Sequence, residues 1–184
     1  DNDCDGFEAC YLDADGDGYG DASLVTIPSS DMACSDTGEA SNADEIDCDD
    51  SDAAVNPAAE ELSGDGIDSD CDGAELCWAD YDGDGYRSDE LVAVQGDFSC
   101  SGEGLVDENA PSGDCDDGNG EINPDAEESV ADGVDSNCDG EELCYVDADG
   151  DGFRTTDGST VADADLDCEA DGLATEAAPD TDCD

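Results

Sequence analysis

The chain repeats itself: copies of one block begin at residues 11, 78 and 145, which gives a period of 67 residues. Each copy keeps the same acidic runs and the same cysteines. The first such runs are YLDADGDGYGD at 11–21, WADYDGDGYRS at 78–88 and YVDADGDGFRT at 145–155. Self-similarity at a fixed period is typical of an array built by stacking one unit. We therefore predict three repeats, at 1–67, 68–134 and 135–184, the last about 18 residues short of a full period.

The charge balance limits what can hold such an array together. The 184 residues include 58 acidic and two basic ones and no histidine, and only 25 are Leu, Ile, Val or Phe. Composition alone is typical of a disordered polyanion. Regularly spaced acids and in-register cysteines instead favour a folded chain, in which cations reduce repulsion and disulfides restrict the unfolded state.

The same charge excludes several classes of partner. With two basic residues, the chain cannot neutralise the phosphates of a nucleic acid or of an anionic membrane surface. No apolar run approaches the roughly 20 residues that cross a membrane as a helix. We therefore expect no nucleic-acid partner and no membrane insertion.

The twelve cysteines, four in each block and none in a C-x-x-C pair, indicate structural disulfides in an oxidising compartment. We therefore expect an extracellular or cell-surface location. Other connectivities stay open at the level of sequence. The favoured pairs each close a loop of about two dozen residues: Cys10–Cys34, Cys77–Cys100 and Cys144–Cys168 within repeats, and Cys48–Cys71 and Cys115–Cys138 between repeats.

Two cysteines are left over in this scheme. Residues 182–184 match 47–49, and residues 1–4 match 68–71. One expectation is that the tail of one copy docks on the head of the next, with an intermolecular Cys183–Cys4 bond. Head-to-tail contact that does not close into a ring generates a filament. The alternative is a segment of a longer array that does not assemble.

The run D-x-D-x-D-G is typical of an oxygen-only site for a hard cation. Side chains at positions one, three and five face one side of a tight loop, and position seven adds its backbone carbonyl. Position twelve, a glutamate in an EF-hand, holds Leu24, Leu91 and Gly158, so acids from elsewhere must complete these sites. The alternative is a set of solvated acidic turns. The predicted ligands are Asp13, Asp15, Asp17 and Tyr19, then Asp80, Asp82, Asp84 and Tyr86, and finally Asp147, Asp149, Asp151 and Phe153.

Two further acidic patterns recur. A second run of the same form surrounds a cysteine, and Glu8, Glu75 and Glu142 follow it at a fixed offset. A third pattern combines DCDD with a glutamate 14 residues after its first aspartate. The alternatives are disulfide-flanking turns and a capped helix start. The second-run candidates are Asp1, Asp3 and Asp5, then Asp68, Asp70 and Asp72, then Asp135, Asn137 and Asp139; the third-pattern candidates are Asp47, Asp49, Asp50 and Glu61, and Asp114, Asp116, Asp117 and Glu128. If Cys48 bonds Cys71, the two patterns are held together and can share ligands.

Calcium is the favoured ion. Loops with many carboxylates suit its flexible, high coordination number better than they suit magnesium. Zinc and copper usually take imidazole or thiolate, and the chain has no histidine. We predict about two to three Ca²⁺ ions per repeat.

Secondary structure is predicted to be sparse. The run LVAV at 91–94 reads as a strand that pairs back on 76–79 as a hairpin. Asn56 and Asn123, each followed by proline, are expected to cap one helical turn. The predicted fold class is loop-rich and small-β: an elongated array of three calcium-stabilised, disulfide-bonded repeats with short hairpins and little regular secondary structure.

The segments DADGDGYGD, DCDDSDAAVNPAAEE and DGIDSDCDG resemble the MopE-type "putative metal-binding motif" repeats of secreted and surface bacterial proteins. They are more distantly similar to the calcium-binding thrombospondin type 3 repeats. The resemblance implies extracellular, metal-loaded arrays used as stalks, adhesins or surface structures. Family copies often carry a further cysteine before DGIDNDCDG, where this chain has LSGDGID and SVADGVD, so no disulfide pairing is carried over from the family.

The sequence thus favours an extracellular structural protein, rigidified by Ca²⁺ and assembled head-to-tail with copies of itself into a filament or stalk. The alternative is a calcium-dependent adhesin or spacer module of a larger surface protein. An enzyme is not expected, because the chain has no histidine, no lysine and no nucleophile in a recognisable setting. Serine and threonine in the variable segments offer sites for O-linked glycans.

Overall fold

The computed structural model describes residues 7–29, 33–41 and 45–180, and within these ranges the chain forms eleven short strands and no helix. Turns and loops make up the rest, so the loop-rich, small-β fold class is confirmed. The strands are β1 (Glu8–Leu12), β2 (Gly20–Asp21), β3 (Thr26–Ser29), β4 (Glu39–Ala40), β5 (Ile46–Asp47), β6 (Ala74–Ala79), β7 (Leu91–Gln95), β8 (Leu105–Val106), β9 (Glu142–Val146), β10 (Thr160–Asp163) and β11 (Leu173–Ala174).

Each repeat forms the same three-stranded sheet, in the orders β3-β1-β4, β7-β6-β8 and β10-β9-β11. The central strand holds a cysteine and pairs antiparallel with the next long strand. The hairpin predicted from LVAV is present as β6–β7, with Leu76 opposite Ala93 and Trp78 opposite Leu91. Because a period-two strand alternates its faces, the cysteine of each central strand points into the interior. The equivalent cross-strand pairs are Cys10 with Ile27, Cys77 with Val92 and Cys144 with Val161.

The buried apolar side chains are small. Among the described residues they are Cys10, Ala40, Val55, Ala74, Cys77, Ala79, Cys100, Ala131, Cys144, Cys168 and Ala174. In one such cluster, the half-buried Tyr145 and Leu173 pack against Ala131 and the Cys144–Cys168 pair. Cores of this size contribute little stability, so the fold requires stabilising interactions other than apolar packing.

Five disulfides provide part of that support. The structure contains Cys10–Cys34, Cys48–Cys71, Cys77–Cys100, Cys115–Cys138 and Cys144–Cys168. These are the five intramolecular pairs that the cysteine spacing predicts. Cys4 and Cys183, assigned to an intermolecular bond, lie outside the described residues.

The two asparagine-proline segments form single turns. The Asn56 side chain accepts a hydrogen bond from the Ala58 N–H at 3.0 Å, and its carbonyl accepts one from the Ala59 N–H at 2.9 Å. Asn123 caps its turn in the same way. The predicted cap is therefore present, and the chain leaves after one turn.

The described chain divides into two compact units. One comprises the residues up to Trp78 together with Leu91–Glu108, and the other comprises Ala79–Glu90 together with the residues from Asn109 onward. In the first unit a parallel pairing of β2 with β5 sets Gly20 beside Ile46 and Asp21 beside Asp47. In the second, a parallel bridge joins Arg87 to Ser112. The repeat boundaries 1–67, 68–134 and 135–184 stay a prediction.

Candidate metal centre

The three acidic loops share one backbone conformation, which the first aspartate organises. Oδ1 of Asp13 accepts a hydrogen bond from the Gly16 N–H at 2.6 Å, and Oδ2 accepts one from the Gly18 N–H at 3.0 Å. Asp80 and Asp147 accept from the equivalent N–H groups, three and five residues further on. A carboxylate that accepts several backbone N–H groups holds the loop closed around itself.

Positions three and five continue the pattern with one oxygen each. Asp15 accepts from the Asp17 N–H at 3.2 Å, and Asp17 accepts from the Tyr19 N–H at 2.9 Å. The same bonds recur in the second and third loops. Each of these aspartates therefore uses one oxygen to shape the loop and leaves the other for a different partner.

The DCDD segment closes the open side of the first two loops. In the first unit, the β2–β5 pairing places Asp47 beside the loop, and Oδ1 of Asp50 accepts from the Ala14 N–H at 2.7 Å. In the second unit, Oδ1 of Asp117 accepts from the Tyr81 N–H at 2.6 Å. The loop and the DCDD segment, predicted as separate patterns, thus form one site in each unit.

The resulting carboxylates are close enough to share an ion. In the first unit, one oxygen from each of Asp13, Asp15 and Asp17 lies within 4.8 Å of the others, and so does one from each of Asp15, Asp47 and Asp50. Because a calcium–oxygen bond measures about 2.3–2.6 Å, two oxygens that bind the same ion on opposite sides are separated by about twice that length. The oxygens of these groups are therefore close enough for one ion to contact them. We call these five residues the loop cluster.

Several oxygens in these sites are buried without a hydrogen-bond donor among the described residues. They include Oδ2 of Asp15, Asp17 and Asp47 in the first unit, and Oδ2 of Asp82 and Asp114 in the second. Asp47 is only 1 % exposed. A buried, unpaired carboxylate oxygen is costly, so each favours a positive partner, which the described residues do not supply.

The protonation behaviour of the first site reflects this crowding. Burial, and then the negative charges of Asp17, Asp15 and Asp50, raise the pKa of Asp47 to about 6. Burial is also the largest cause of the raised pKa values of Asp15, Asp82 and Asp114. A bound cation would act in the opposite direction, because a nearby positive charge favours the ionised carboxylate.

The third acidic loop differs from the first two in exposure. Asp147 is buried, but Asp149 and Asp151 are exposed, whereas their equivalents in the other loops are half-buried. Residues 182–184, which match the first three residues of DCDD, lie outside the described part of the chain. Loop closure is therefore local to the acidic run, and in the first two loops the half-buried positions three and five lie beside a DCDD segment.

The cysteine-containing runs adopt the same loop conformation. Asp68 accepts from the Gly73 N–H at 3.1 Å, and Asp70 accepts from the Asp72 N–H at 3.2 Å. At position four, where the acidic loops have glycine, Cys71 and Cys138 take the left-handed φ values of 58° and 56°. The second predicted run is thus a structural copy of the first, with a disulfide at its turn.

The glutamate of the third pattern contacts this cysteine loop and not the acidic loop. Oε2 of Glu61 accepts from the Ser69 and Asp70 N–H groups at 2.9 and 3.2 Å. Glu128 makes the same two contacts with the Ser136 and Asn137 N–H groups. Oxygens of Glu61, Asp68 and Asp70 lie within 4.8 Å of one another, so the sharing expected from a Cys48–Cys71 bond is geometrically present.

The remaining predicted ligands are placed less centrally. Asp49, Asp72, Asp116 and Asp139 are exposed, and Asp49 turns its carboxylate to Ser51, whose hydroxyl donates to Oδ1 at 2.6 Å. Tyr19, Tyr86 and Phe153 are half-buried at the loop ends, and their role as carbonyl ligands stays a prediction. Asp1, Asp3 and Asp5 lie outside the described residues.

Glu75 and Asp65 are not among the ligands predicted from the sequence. Oxygens of Glu61, Asp65 and Glu75 lie within 4.8 Å of one another. The fixed offset of Glu75 and Glu142 from the preceding cysteine was a usable signal. Their burial is a tertiary property that the offset does not predict. Cys48 and Cys71 also lie beside Asp47, but their sulfurs are joined in a disulfide and are not thiolate ligands.

Comparison with known families gives one finding. The model of the Cu-binding MopE family, described as "Putative metal-binding motif", matches residues 1–8, 47–75 and 114–142. No curated protein and no solved structure matches the chain. The two longer matches each run from the first aspartate of DCDD to the buried glutamate, and they span the disulfide between them.

Proposed function

We propose that this chain, which contains MopE-type metal-binding repeats, is an extracellular structural protein that Ca²⁺ rigidifies and that assembles head-to-tail into a filament or stalk. The observation that carries the calcium part is the loop cluster, in which buried carboxylate oxygens converge without a donor from the described residues. Ions take the place of a hydrophobic core in this proposal, and the role is not enzymatic.

The choice of calcium rests on the chemistry of the donors. The converging atoms are carboxylate oxygens, which suit a hard cation of high coordination number. Copper usually takes imidazole or thiolate; the chain has no histidine, and ten of its twelve cysteines form disulfides. The family name refers to copper, but these residues fit calcium better.

The extracellular location is supported by the disulfides, which persist in oxidising compartments. The described residues include no helix that is long and apolar enough to cross a membrane. Self-assembly is supported by the repeat equivalence of the remaining cysteines. Cys183 corresponds to Cys48, and Cys4 corresponds to Cys71, and the latter two form a disulfide. A Cys183–Cys4 bond between copies would repeat that connection.

The ion-binding part is tested with Asp47→Asn, which removes one charge from the loop cluster and keeps the side-chain shape. We expect calcium affinity in titration calorimetry to fall by at least about tenfold at one site, because the ligand charge count sets affinity in such loops. The matched control is Asp89→Asn, which removes the same charge at an exposed position outside the predicted ligand sets, with affinity unchanged. Equal affinity in both variants would contradict the site.

Assembly is tested by light scattering and non-reducing size analysis in millimolar calcium, after chelation, and after reduction. Long particles that fall apart on chelation would support calcium-held polymers. Particles that survive chelation but not reductant would support the Cys183–Cys4 bond. A monomer under all conditions would overturn the filament and leave a spacer module of a larger surface protein.

A further inference from the structure

We propose that the free edge of β7 (Leu91–Gln95) is a docking site for an extended, lysine- or arginine-rich segment of another protein. The segment adds to the sheet as a fourth strand. In strand addition of this kind, backbone hydrogen bonds provide affinity and side-chain contacts provide selectivity. β7 contains none of the predicted metal ligands, so this surface is a feature of the fold additional to the ion sites.

The outer edge of β7 has backbone groups available for a partner. β7 is the outer strand in the order β7-β6-β8, and among the described residues no strand pairs with its other side. Antiparallel pairs alternate between hydrogen-bonded and non-hydrogen-bonded positions, and the Gly96 N–H donates to the Gly73 carbonyl at 2.9 Å. From that bonded pair onward, Leu91, Ala93 and Gln95 occupy the non-bonded positions. Their N–H and C=O groups therefore point away from β6 and towards an added strand.

The equivalent edge strands of the other two sheets are less suited to such pairing. In β3, Pro28 occupies the position that Ala93 has in β7, one residue beyond the partner of the central cysteine. Proline has no N–H to donate, and it protects an edge strand from further pairing. β10 is one residue shorter than β7, and its outward positions are Thr160 and Ala162. β7 therefore offers the longest edge without proline among the three.

The side chains of β7 leave this edge open and uncharged. Leu91 is 41 % exposed, Ala93 and Gln95 are also exposed, and Val92 and Val94 are half-buried. Natural proteins usually protect an exposed, apolar edge strand with a charge, a proline or a covering segment, because such an edge pairs readily with other chains. The five residues LVAVQ include neither a charge nor a proline. The edge of β7 thus has the properties of a strand-docking surface.

The charges that flank β7 favour a basic partner over a second copy of this chain. Asp89 and Glu90 precede the strand and Asp97 follows it, and all three are exposed. In a two-fold pair of β7 strands centred on Ala93, Asp89 of one copy would lie opposite Asp97 of the other. Like charges directly opposite each other destabilise a sheet, whereas opposite charges stabilise it. A lysine or arginine at each end of the incoming strand would meet these carboxylates favourably.

The first test compares two peptides of equal charge. A fluorescent peptide of sequence KKTVTVTKK is titrated with the full chain, disulfides intact, at about 0.15 M salt, where attraction between exposed charges is screened beyond about 8 Å. The control peptide has the same sequence with its central amides N-methylated, so it keeps the charge and loses the backbone donors. We expect the control to bind about tenfold more weakly, because strand addition depends on those donors. Equal binding of the two peptides would overturn strand addition.

The second test locates the site. Ala93→Pro gives β7 the residue that β3 has at this position, and it removes one outward N–H. The affinity for KKTVTVTKK should fall by about tenfold. The matched control is Ala162→Pro, at the equivalent position of β10, and it should retain the wild-type affinity. Unchanged affinity in Ala93→Pro, or an equal loss in both variants, would overturn the assignment to β7.

A charge variant keeps the proposal testable if Ala93→Pro fails to form its disulfides. Leu91→Lys combined with Gln95→Lys retains every backbone group and should weaken KKTVTVTKK by about tenfold through like-charge repulsion. Unchanged affinity would overturn the choice of a basic partner. Sedimentation of the protein without peptide tests the other occupant: a wild-type dimer that this double variant dissociates would place a second copy at the edge and would overturn the proposal.

Discussion

Gly64 and Ala131 occupy the same position in successive repeats, and both take a left-handed conformation, with φ of 75° and 60°. Each donates its N–H to the buried glutamate of its motif. A Cβ built on Gly64 would lie 2.6 Å from the Glu108 nitrogen. In the first copy, the Glu108 N–H donates a hydrogen bond to the Gly64 carbonyl at 3.2 Å. In the second copy, the Glu176 N–H donates to the Ala131 carbonyl at 3.5 Å. The alanine is therefore accommodated in a strained conformation.

This difference gives a prediction at the residue scale. Ala131→Gly should raise the free energy of unfolding by about 1 kcal/mol, because glycine relieves the left-handed strain. Gly64→Ala should lower it by more than that, because the new Cβ also meets the Glu108 backbone. Denaturant titration in calcium buffer measures both. A loss of stability in Ala131→Gly would contradict the strain assignment.

At the scale of the elements, the disulfides fall into two kinds. Cys77–Cys100 lies within one sheet region, whereas Cys48–Cys71 joins the DCDD segment to the cysteine loop, so that Asp47 and Asp70 each adjoin a bonded cysteine. Both pairs span 23 residues. The two disulfides therefore restrict the unfolded chain equally. A difference in calcium affinity between variants that lack one or the other would show which disulfide organises the metal sites.

We predict that Cys48→Ser with Cys71→Ser, and Cys77→Ser with Cys100→Ser, each reduce the unfolding free energy by about 3 kcal/mol. Only the first pair of changes should also lower the intrinsic calcium affinity, because it releases the segments that bring carboxylates together. The measurement is calorimetric titration of each double variant below its unfolding temperature. Equal affinities in the two variants would show that the Cys48–Cys71 bond does not organise the sites.

At the scale of the whole molecule, 58 acidic residues stand against two arginines, a formal net charge of −56. Both arginines are already engaged: Arg87 donates to the Ala110 carbonyl, and Arg154 lies over the Tyr145 ring and near Asp180. Self-repulsion on this scale opposes a compact state. Neutralisation must therefore come from ions in solution or from protons.

The pH dependence of stability should change sign with calcium. Without metal, Asp47 has a pKa raised from 3.8 to about 6 by burial and neighbouring acids. Because the folded-state pKa is raised, the contribution of Asp47 to the free energy of unfolding is fully present below about pH 4. That contribution is lost as the pH rises through about 6. With saturating calcium, protons compete with the ion, so stability should fall as pH drops through the same window.

Thermal unfolding of metal-depleted and calcium-loaded protein between about pH 4 and pH 7 measures this reversal. The raised pKa values of Asp15, Glu61 and Glu75 have burial as their largest cause, and they add to the effect in the same direction. Parallel pH profiles with and without calcium would contradict a cation at these carboxylates.

The sequence by itself determined what is local. The repeat is visible in the order of the residues. The D-x-D-x-D-G loops and the asparagine caps depend on hydrogen bonds between a side chain and N–H groups at most five residues away, such as the bond from the Gly18 N–H to Asp13. Residue order fixes such contacts. Equal cysteine separations near 23 residues likewise limited the sensible pairings.

Only the tertiary structure decided which acids meet. Asp50 contacts the Ala14 N–H across 36 residues, Glu61 lies with the cysteine loop instead of with its own DCDD segment, and Glu75 is withdrawn completely from solvent. These outcomes depend on strand pairing and disulfide closure, which bring distant segments together. The pattern of a single acidic run does not contain that information, because every carboxylate in it is equally free to face water.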